Sequence, residues 1–260
     1  MVETKFHYNK DLPKFTPNRQ KYLREQVERI KLIPQPEQRS PEWYAFREEK
    51  ITASDFGKGC DMGHHGKSYD VIRKKVTYDR RFMTNNAIMW GIKYEDAAIR
   101  IYEHRNKVKV VEYGCIGHPL HKFIGASPDG ITDDGIMVEI KCPSSREITG
   151  ICPEHYWCQV QGQLEVCELD RCDFLECKLS QYDSREDYEK DNYNGNFFYN
   201  NLGMEKGVVL EFYKKDIKKQ FYVFPDVGLS VEEVDKFVEI ETAKYADDPN
   251  ILFGDEKIEM

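Results

Sequence analysis

Hydrophobic positions recur along the chain with two periods, and the change from one to the other separates helical from strand-rich stretches. Residues 18–32 carry a mostly charged helical pattern that Pro34 and Pro36 bring to an end. Ser40-Pro41-Glu42 has the form of a helix start, with serine as N-cap and proline in the first turn. The clearest helix is predicted over 85–105, where Ile88, Ile92, Ile99 and Tyr102 share one face. Residues 108–116, 123–126 and 136–141 then read as strands, with Ser127-Pro128-Asp129-Gly130 as a turn. A helix over 153–168 and a strand over 172–179 follow. Residues 182–201, rich in tyrosine and asparagine, read as an insertion or loop. Two strands (208–213 and 220–224) and a helix capped by Ser230 complete the chain.

This order predicts an α/β fold, a mixed sheet flanked by helices. We expect one domain over 1–260, with a helical extension at 1–39, a core at 40–180, the insertion at 181–201 and C-terminal strands and helix at 202–260. Composition agrees: 40% hydrophobic and 13% aromatic residues exclude a disordered chain. No apolar run approaches the ~20 residues that span a bilayer. The first 21 residues carry no apolar signal core, so a soluble, intracellular protein with no membrane association is expected. There the eight cysteines would stay reduced, and none are spaced C-x-x-C. Mostly buried thiols are expected, with neither zinc nor an iron–sulfur cluster. A net charge of −8 excludes a uniformly basic surface but permits a local basic groove.

Candidate chemistry gathers at Asp129 and at Glu139-Ile140-Lys141. The turn places Asp129 at a sheet edge, and Glu139 and Lys141, two apart on a strand, leave the same face. Two converging carboxylates make a hard oxygen site suited to Mg²⁺, and a neighbouring lysine can position or deprotonate a metal-bound water. A common turn beside a solvated strand face explains the same residues about equally well at this point, although Glu139 and Lys141 interrupt an apolar strand. Glu95 adds weight: it stands at the position missing from the 88, 92, 99, 102 stripe, and a charge on a buried face needs a partner or a metal.

With Ser127-Pro128-Asp129-Gly130 and Glu139-Ile140-Lys141-Cys142-Pro143 in view, the chain resembles the restriction-endonuclease-like nucleases. More narrowly it resembles the lambda exonuclease / YqaJ viral recombinase family. Trp43-x-x-x-Arg47-x-x-x-Ile51-Thr52-Ala53-Ser54, Trp90-Gly91-x-x-Tyr94-Glu95-x-x-Ala98 and Tyr156-x-x-Gln159-Val160-Gln161 are similar to three further motifs of that family, in the family's order. The resemblance implies a restriction-endonuclease-like core. Asp129, Glu139 and the carbonyl of Ile140 would hold Mg²⁺ (or Mn²⁺), and Glu95 would support the metal shell. Lys141 would act on the nucleophilic water and Gln159 would help to place it. Arg47, Thr52, Ser54 and Ser127 would form a pocket for a terminal 5′-phosphate, and Thr52 to Asp55 would open a helix whose amides favour an anion.

The activity so implied is a Mg²⁺-dependent exonuclease digesting double-stranded DNA ends from 5′ to 3′ in viral recombination or end resection. A single-strand annealing protein is the implied partner, and a homotrimer the implied assembly. The helix at 18–32 and the 182–201 segment have no counterpart in the phage enzyme. A structure-specific endonuclease with the same site, a non-catalytic DNA-binding module and a zinc-binding interaction protein are the rival readings. Gly66-Lys67-Ser68 suggests a phosphate loop, but Asp61 stands where that loop needs glycine, so a helix capped near Ser68 is expected. His64-His65, His118 and His121 read as ordinary loop histidines.

Overall fold

The computed structural model describes residues 14–62, 66–77 and 85–259, the last five by backbone alone. The start of the expected N-terminal extension and His64-His65 lie outside these described residues. The first half of the chain forms α1 (Pro17–Leu32), α2 (Pro41–Glu48), β1 (Ile51–Thr52), α3 (Ala53–Gly59), α4 (Ser68–Val76), α5 (Asn86–Asn106), β2 (Val110–Val111), β3 (Ile116–Gly117) and β4 (Ile124–Ala126). The second half forms β5 (Gly130–Thr132), β6 (Ile136–Lys141), α6 (Glu154–Cys167), β7 (Arg171–Glu176), α7 (Arg185–Lys190), β8 (Gly207–Lys214), β9 (Lys219–Val223), α8 (Val231–Ala243) and β10 (Ile251–Glu259).

Two compact units divide these elements. The first takes in the described residues of Met1–Thr84 with Val108–Lys141 and Glu147–Glu176; the second takes in Asn85–Lys107, Cys142–Arg146 and the described residues of Cys177–Met260. The mixed α/β architecture stands, but the strands form three small sheets. In the first unit, one sheet runs β2-β5-β6-β7, with β6 and β7 parallel and the other pairs antiparallel. A second runs β1-β4-β3, with β1 and β4 parallel. The sheet of the second unit, β10-β8-β9, is antiparallel throughout.

The single strand expected over 108–116 is therefore corrected: β2 and β3 belong to different sheets. Between them the backbone at Gly114 runs so close to Pro36 that a Cβ there would lie 1.9 Å from the Pro36 carbonyl oxygen. The Gln38 amide donates to the Tyr113 carbonyl at 2.9 Å, binding the crossing on its other side. Helix α1 contributes directly to the core. Leu23, Val27 and Ile30, spaced on one face, pack with Ile116, Ile131 and Met137, and each buried aliphatic contributes about 1.5–3 kcal/mol.

In the second unit, Asn85 caps α5 by accepting from the Ile88 amide at 2.8 Å. The expected stripe on this helix is corrected. The buried positions are Lys93, Tyr94, Ala97, Ala98, Ile101 and Tyr102, whereas Ile88 is exposed. Small Ala97 and Ala98 carry the packed face, and a count of large aliphatics alone rotates it. The charge buried on α5 is Lys93, which meets Glu211 at 3.5 Å.

The 182–201 stretch is folded, against the expectation of a loop. Ser184 caps α7, and Tyr188 is buried with Val208 and Val234. The Lys206 ammonium donates to the carbonyls of Tyr188 and Asp191 and faces the rings of Phe197 and Tyr188 at 4.2 and 4.4 Å. Strand β10 has no forerunner in the hydrophobic pattern; it is recruited by pairing with β8. No helix among the described residues is long and apolar enough to cross a membrane.

Candidate active site

Strand β6 lies between β5 and β7, so Glu139 stands in the middle of a sheet. Its carboxylate is fully buried. A buried ion survives only with partners, and α6 supplies two of them. Gln159 and Gln163, four apart and hence on one helix face, donate to Oε1 and Oε2 of Glu139, each at 2.7 Å. The Lys141 ammonium also contacts Oε1 and lies 5.1 Å from the centre of the Tyr156 ring. Burial works against the charge on Lys141, but Glu139 and Asp129 outweigh it and hold the ammonium's pKa above the ordinary lysine value. Asp129 is tied in from the turn before β5: its Oδ2 accepts from the Ile140 amide at 2.6 Å. Asp129, Glu139, Lys141, Gln159 and the Ile140 backbone are thus brought together, and the Ile140 side chain is buried.

The second group forms around Arg47 on α2. Its guanidinium donates to the hydroxyls of Ser127 at 3.2 Å, Thr52 at 3.3 Å and Ser54 at 3.2 Å. Thr52 and Ser54 are themselves 3.0 Å apart. Trp43, one helical turn before Arg47, lies under the guanidinium at 4.2 Å and donates its indole N–H to the Ser127 hydroxyl at 3.2 Å. Burial lowers the pKa of Arg47, with Cys115 and Asp55 acting the other way; arginine stays charged regardless. Among the described residues the guanidinium meets hydroxyls, with no carboxylate at ion-pair distance. A half-buried cation ringed by neutral donors is complementary to an anion. The helix start expected here is Ala53–Gly59 with Thr52 as N-cap, but the Thr52 hydroxyl faces Arg47 and Asp55, not a backbone amide. A helix of seven residues adds little dipole, so the side chains make this pocket.

The two groups share a loop and a side chain. Ser127 of the second stands two residues before Asp129 of the first. Gln163, named by no earlier motif, donates both to Glu139 and, at 3.3 Å, to the Ser127 carbonyl. Its signal in the sequence is the four-residue spacing from Gln159; Gln161, by contrast, is exposed. Trp43 and Gln163 are the two residues that sequence reasoning left without a role. Glu95, partly buried on α5, belongs to the second unit, whereas both groups lie in the first.

Helices α3 and α6 approach closely enough to exclude side chains. A Cβ on Gly57 would come 2.7 Å from the Cβ of His155, and one on Gly162 would come 2.5 Å from the Phe56 ring. Ser54 on α3 and the two glutamines on α6 are held by this contact.

The remaining signals are structural. Asp61, which replaces the glycine of a phosphate loop, accepts from the Ser68 amide at 2.9 Å and so occupies the donor a phosphate would use. Two Cys-x-x-His spacings occur, Cys115/His118 and Cys152/His155. The Nδ1 of His118 already accepts from the amides of Leu120 and His121. No group of three or more His, Cys, Asp or Glu side chains suited to a metal forms among the described residues.

Residues 42–170, which contain both groups, match the YqaJ-like viral recombinase domain. The similarity to that family covers just under half of the chain. An uncharacterised protein of Acanthamoeba polyphaga mimivirus is 34% identical over 270 aligned positions, covering 90% of this chain and 49% of that protein. The chain therefore spans about half the length of this curated relative. Among solved structures, an alkaline exonuclease (LHK-Exo) from Laribacter hongkongensis matches with a TM-score of 0.47 and 22% identity, covering 80% of this chain and 93% of the other. A phage related exonuclease from Haemophilus somnus 129PT matches with a TM-score of 0.40 and 16% identity, covering 76% and 93%.

Proposed function

We propose that the chain is a Mg²⁺-dependent deoxyribonuclease that digests double-stranded DNA from its ends, 5′ to 3′, in viral recombination or end resection. One observation carries this reading: a buried carboxylate–lysine group and an arginine–hydroxyl pocket meet at Ser127, Pro128 and Asp129. The first suits chemistry on a phosphodiester and the second suits a phosphate that must be held beside it.

The donor set fits a hard divalent cation. Mg²⁺ is commonly held by one or two carboxylates, with substrate phosphate and water filling the other positions. Asp129, Glu139 and the Ile140 carbonyl would hold it, and Mn²⁺ would substitute. When bound, the ion supplies an activated water and neutralises charge developing on the phosphate. Lys141 would contribute a positive charge beside the carboxylates of Glu139 and Asp129. Gln159 and Gln163 keep both oxygens of Glu139 in one orientation. Arg47 would supply a planar, permanently charged fork to a terminal phosphate, Ser54 and Ser127 would donate to its oxygens, and Thr52, whose hydroxyl donates to Asp55, would help to hold the guanidinium.

The test is digestion of an end-labelled linear duplex with Mg²⁺, bearing 5′-phosphate or 5′-hydroxyl ends, alongside a closed circle. Release of mononucleotides from the 5′-phosphorylated end, none from the circle, and loss of cleavage on chelation are expected. Cutting of the circle transfers the same site to an endonuclease. Binding to DNA with no cleavage in any divalent metal leaves a binding module and ends the nuclease reading.

A further inference from the structure

Gln163 is the residue whose contacts exceed what a core side chain needs. It is 1% exposed, and its single amide nitrogen serves two acceptors from different groups: Oε2 of Glu139 at 2.7 Å and the Ser127 carbonyl at 3.3 Å. Its Oε1 is buried with no hydrogen-bond partner among the described residues. The amide is therefore oriented by donation alone, and an unmet buried acceptor costs free energy that a purely structural position would avoid. Ser127 is in turn the meeting point of the pocket, since its hydroxyl accepts from both Arg47 and Trp43. Gln163 thus joins the Ser127 backbone directly to the Glu139 carboxylate.

We propose that Gln163 couples the two groups, so that a phosphate seated on Arg47 and Ser127 fixes Glu139 and raises turnover of the neighbouring phosphodiester. This rests on the nuclease reading above and extends it. Gln163 is a positioning residue: it joins the residue that would sense the terminus to a carboxylate that would act in the reaction. Discrimination between ends would then reside in kcat as well as in KM. A pocket that only held the phosphate would change KM alone.

The experiment measures kcat and KM on linear duplexes with 5′-phosphate and 5′-hydroxyl ends, for the full chain with Mg²⁺, in wild type, Gln163→Met and Gln163→Glu. Methionine keeps the length without the donor; glutamate keeps the shape and offers an acceptor to Glu139. In the wild type, the 5′-phosphate should raise kcat by roughly ten-fold or more, the equivalent of one charge-assisted contact. In Gln163→Met this kcat advantage should fall to near parity while the KM advantage, set by Arg47, remains. If kcat falls equally for both ends and the ratio is kept, Gln163 is structural and the proposal is overturned. Coupling through the 127–129 backbone would give the same result. Should Gln163→Met fail to melt cooperatively, the ratio in Gln163→Glu decides on the same criterion. A wild type that treats both ends alike overturns the end-recognition reading and this proposal with it. A wild-type preference that survives in both variants overturns this proposal alone.

Discussion

Glycine-to-alanine substitutions at two helical positions separate the packing of α6 from helix propensity. Both Gly91 and Gly162 lie inside helices, where alanine is favoured by about 0.8–1 kcal/mol. Among the described residues a Cβ on Gly91 meets nothing within 4 Å, so Gly91→Ala should gain nearly all of that. On Gly162 the same atom would lie 2.5, 2.6 and 3.3 Å from three carbons of the Phe56 ring. Ordinary carbon contacts are ~3.5–4.0 Å, so the ring or the helix must move by about 1 Å. Overpacking of this kind costs about 1–3 kcal/mol, and Phe56 is only partly buried, which favours the lower half of that range. Gly162→Ala should therefore be neutral to destabilising. The two variants should differ in melting temperature, at roughly 2–4 °C per kcal/mol for a chain of this size. Activity gives a second reading. Where α6 moves, Gln159 and Gln163 leave Glu139, and losing one hydrogen bond to a charged group, about 1.5–3 kcal/mol, would slow cleavage roughly ten-fold or more. Phe56→Leu in the Gly162→Ala background should recover part of the rate. If Gly162→Ala is stabilised as much as Gly91→Ala and cleaves normally, the close helix contact does not position the glutamines.

Three further outcomes are expected. Asp129→Asn should abolish cleavage and leave a folded protein by circular dichroism. No gain in stability should follow, because Lys141 already offsets the charge of the two carboxylates. Arg47→Ala should slow digestion of 5′-phosphorylated ends by roughly ten-fold or more and of 5′-hydroxyl ends much less, with equal slowing marking a general backbone contact. Lys206→Met strips the donor from one buried and one part-buried carbonyl at a typical cost of about 1–3 kcal/mol, and limited proteolysis should then cut within 182–201 before the rest of the chain. Unchanged resistance there would remove Lys206 as the clamp of that segment.

The elements most legible in the sequence were those fixed by local chemistry. Ser40 with Pro41 and Ser230 with Glu233 mark the starts of α2 and α8, since capping depends on residues three apart. The errors lie where tertiary contacts decide. Gly114 breaks the 108–116 run because of Pro36, more than seventy residues earlier in the chain, and nothing local announces it. The buried face of helix α5 is rotated from the expected stripe, sharing Tyr102 with it, because alanines, weak in a hydrophobicity count, permit the closest packing. The tyrosine-rich 182–201 segment looked polar, yet its rings enclose the stem and ammonium of Lys206, a use of amphipathic side chains that a polarity count cannot register. Strand β10 has its partner only once β8 exists.

For the candidate site, charge in an apolar context was the readable part. Glu139 and Lys141 interrupt a strand that must be covered, and a buried carboxylate forces its surroundings to supply donors. In the structure Gln159, which the sequence offered only through the family resemblance, and Gln163, which it did not offer, meet that demand. For Glu95 the argument required knowing which face of α5 is buried: Tyr102 of the expected stripe is buried, Ile88 is exposed, and Glu95 itself is partly buried. The arginine pocket is the opposite case. Arg47, Thr52, Ser54 and Ser127 are individually unremarkable as a surface cation and common hydroxyls, and only their family spacing suggested a set. What makes them one site is a property no linear pattern carries: Arg47 meets three hydroxyls in the absence of a carboxylate at ion-pair distance among the described residues. A protein that needed Arg47 only for stability would gain more by pairing it with an acid, since charged partners roughly double the strength of such contacts. Neutral partners leave the positive charge available to an incoming anion.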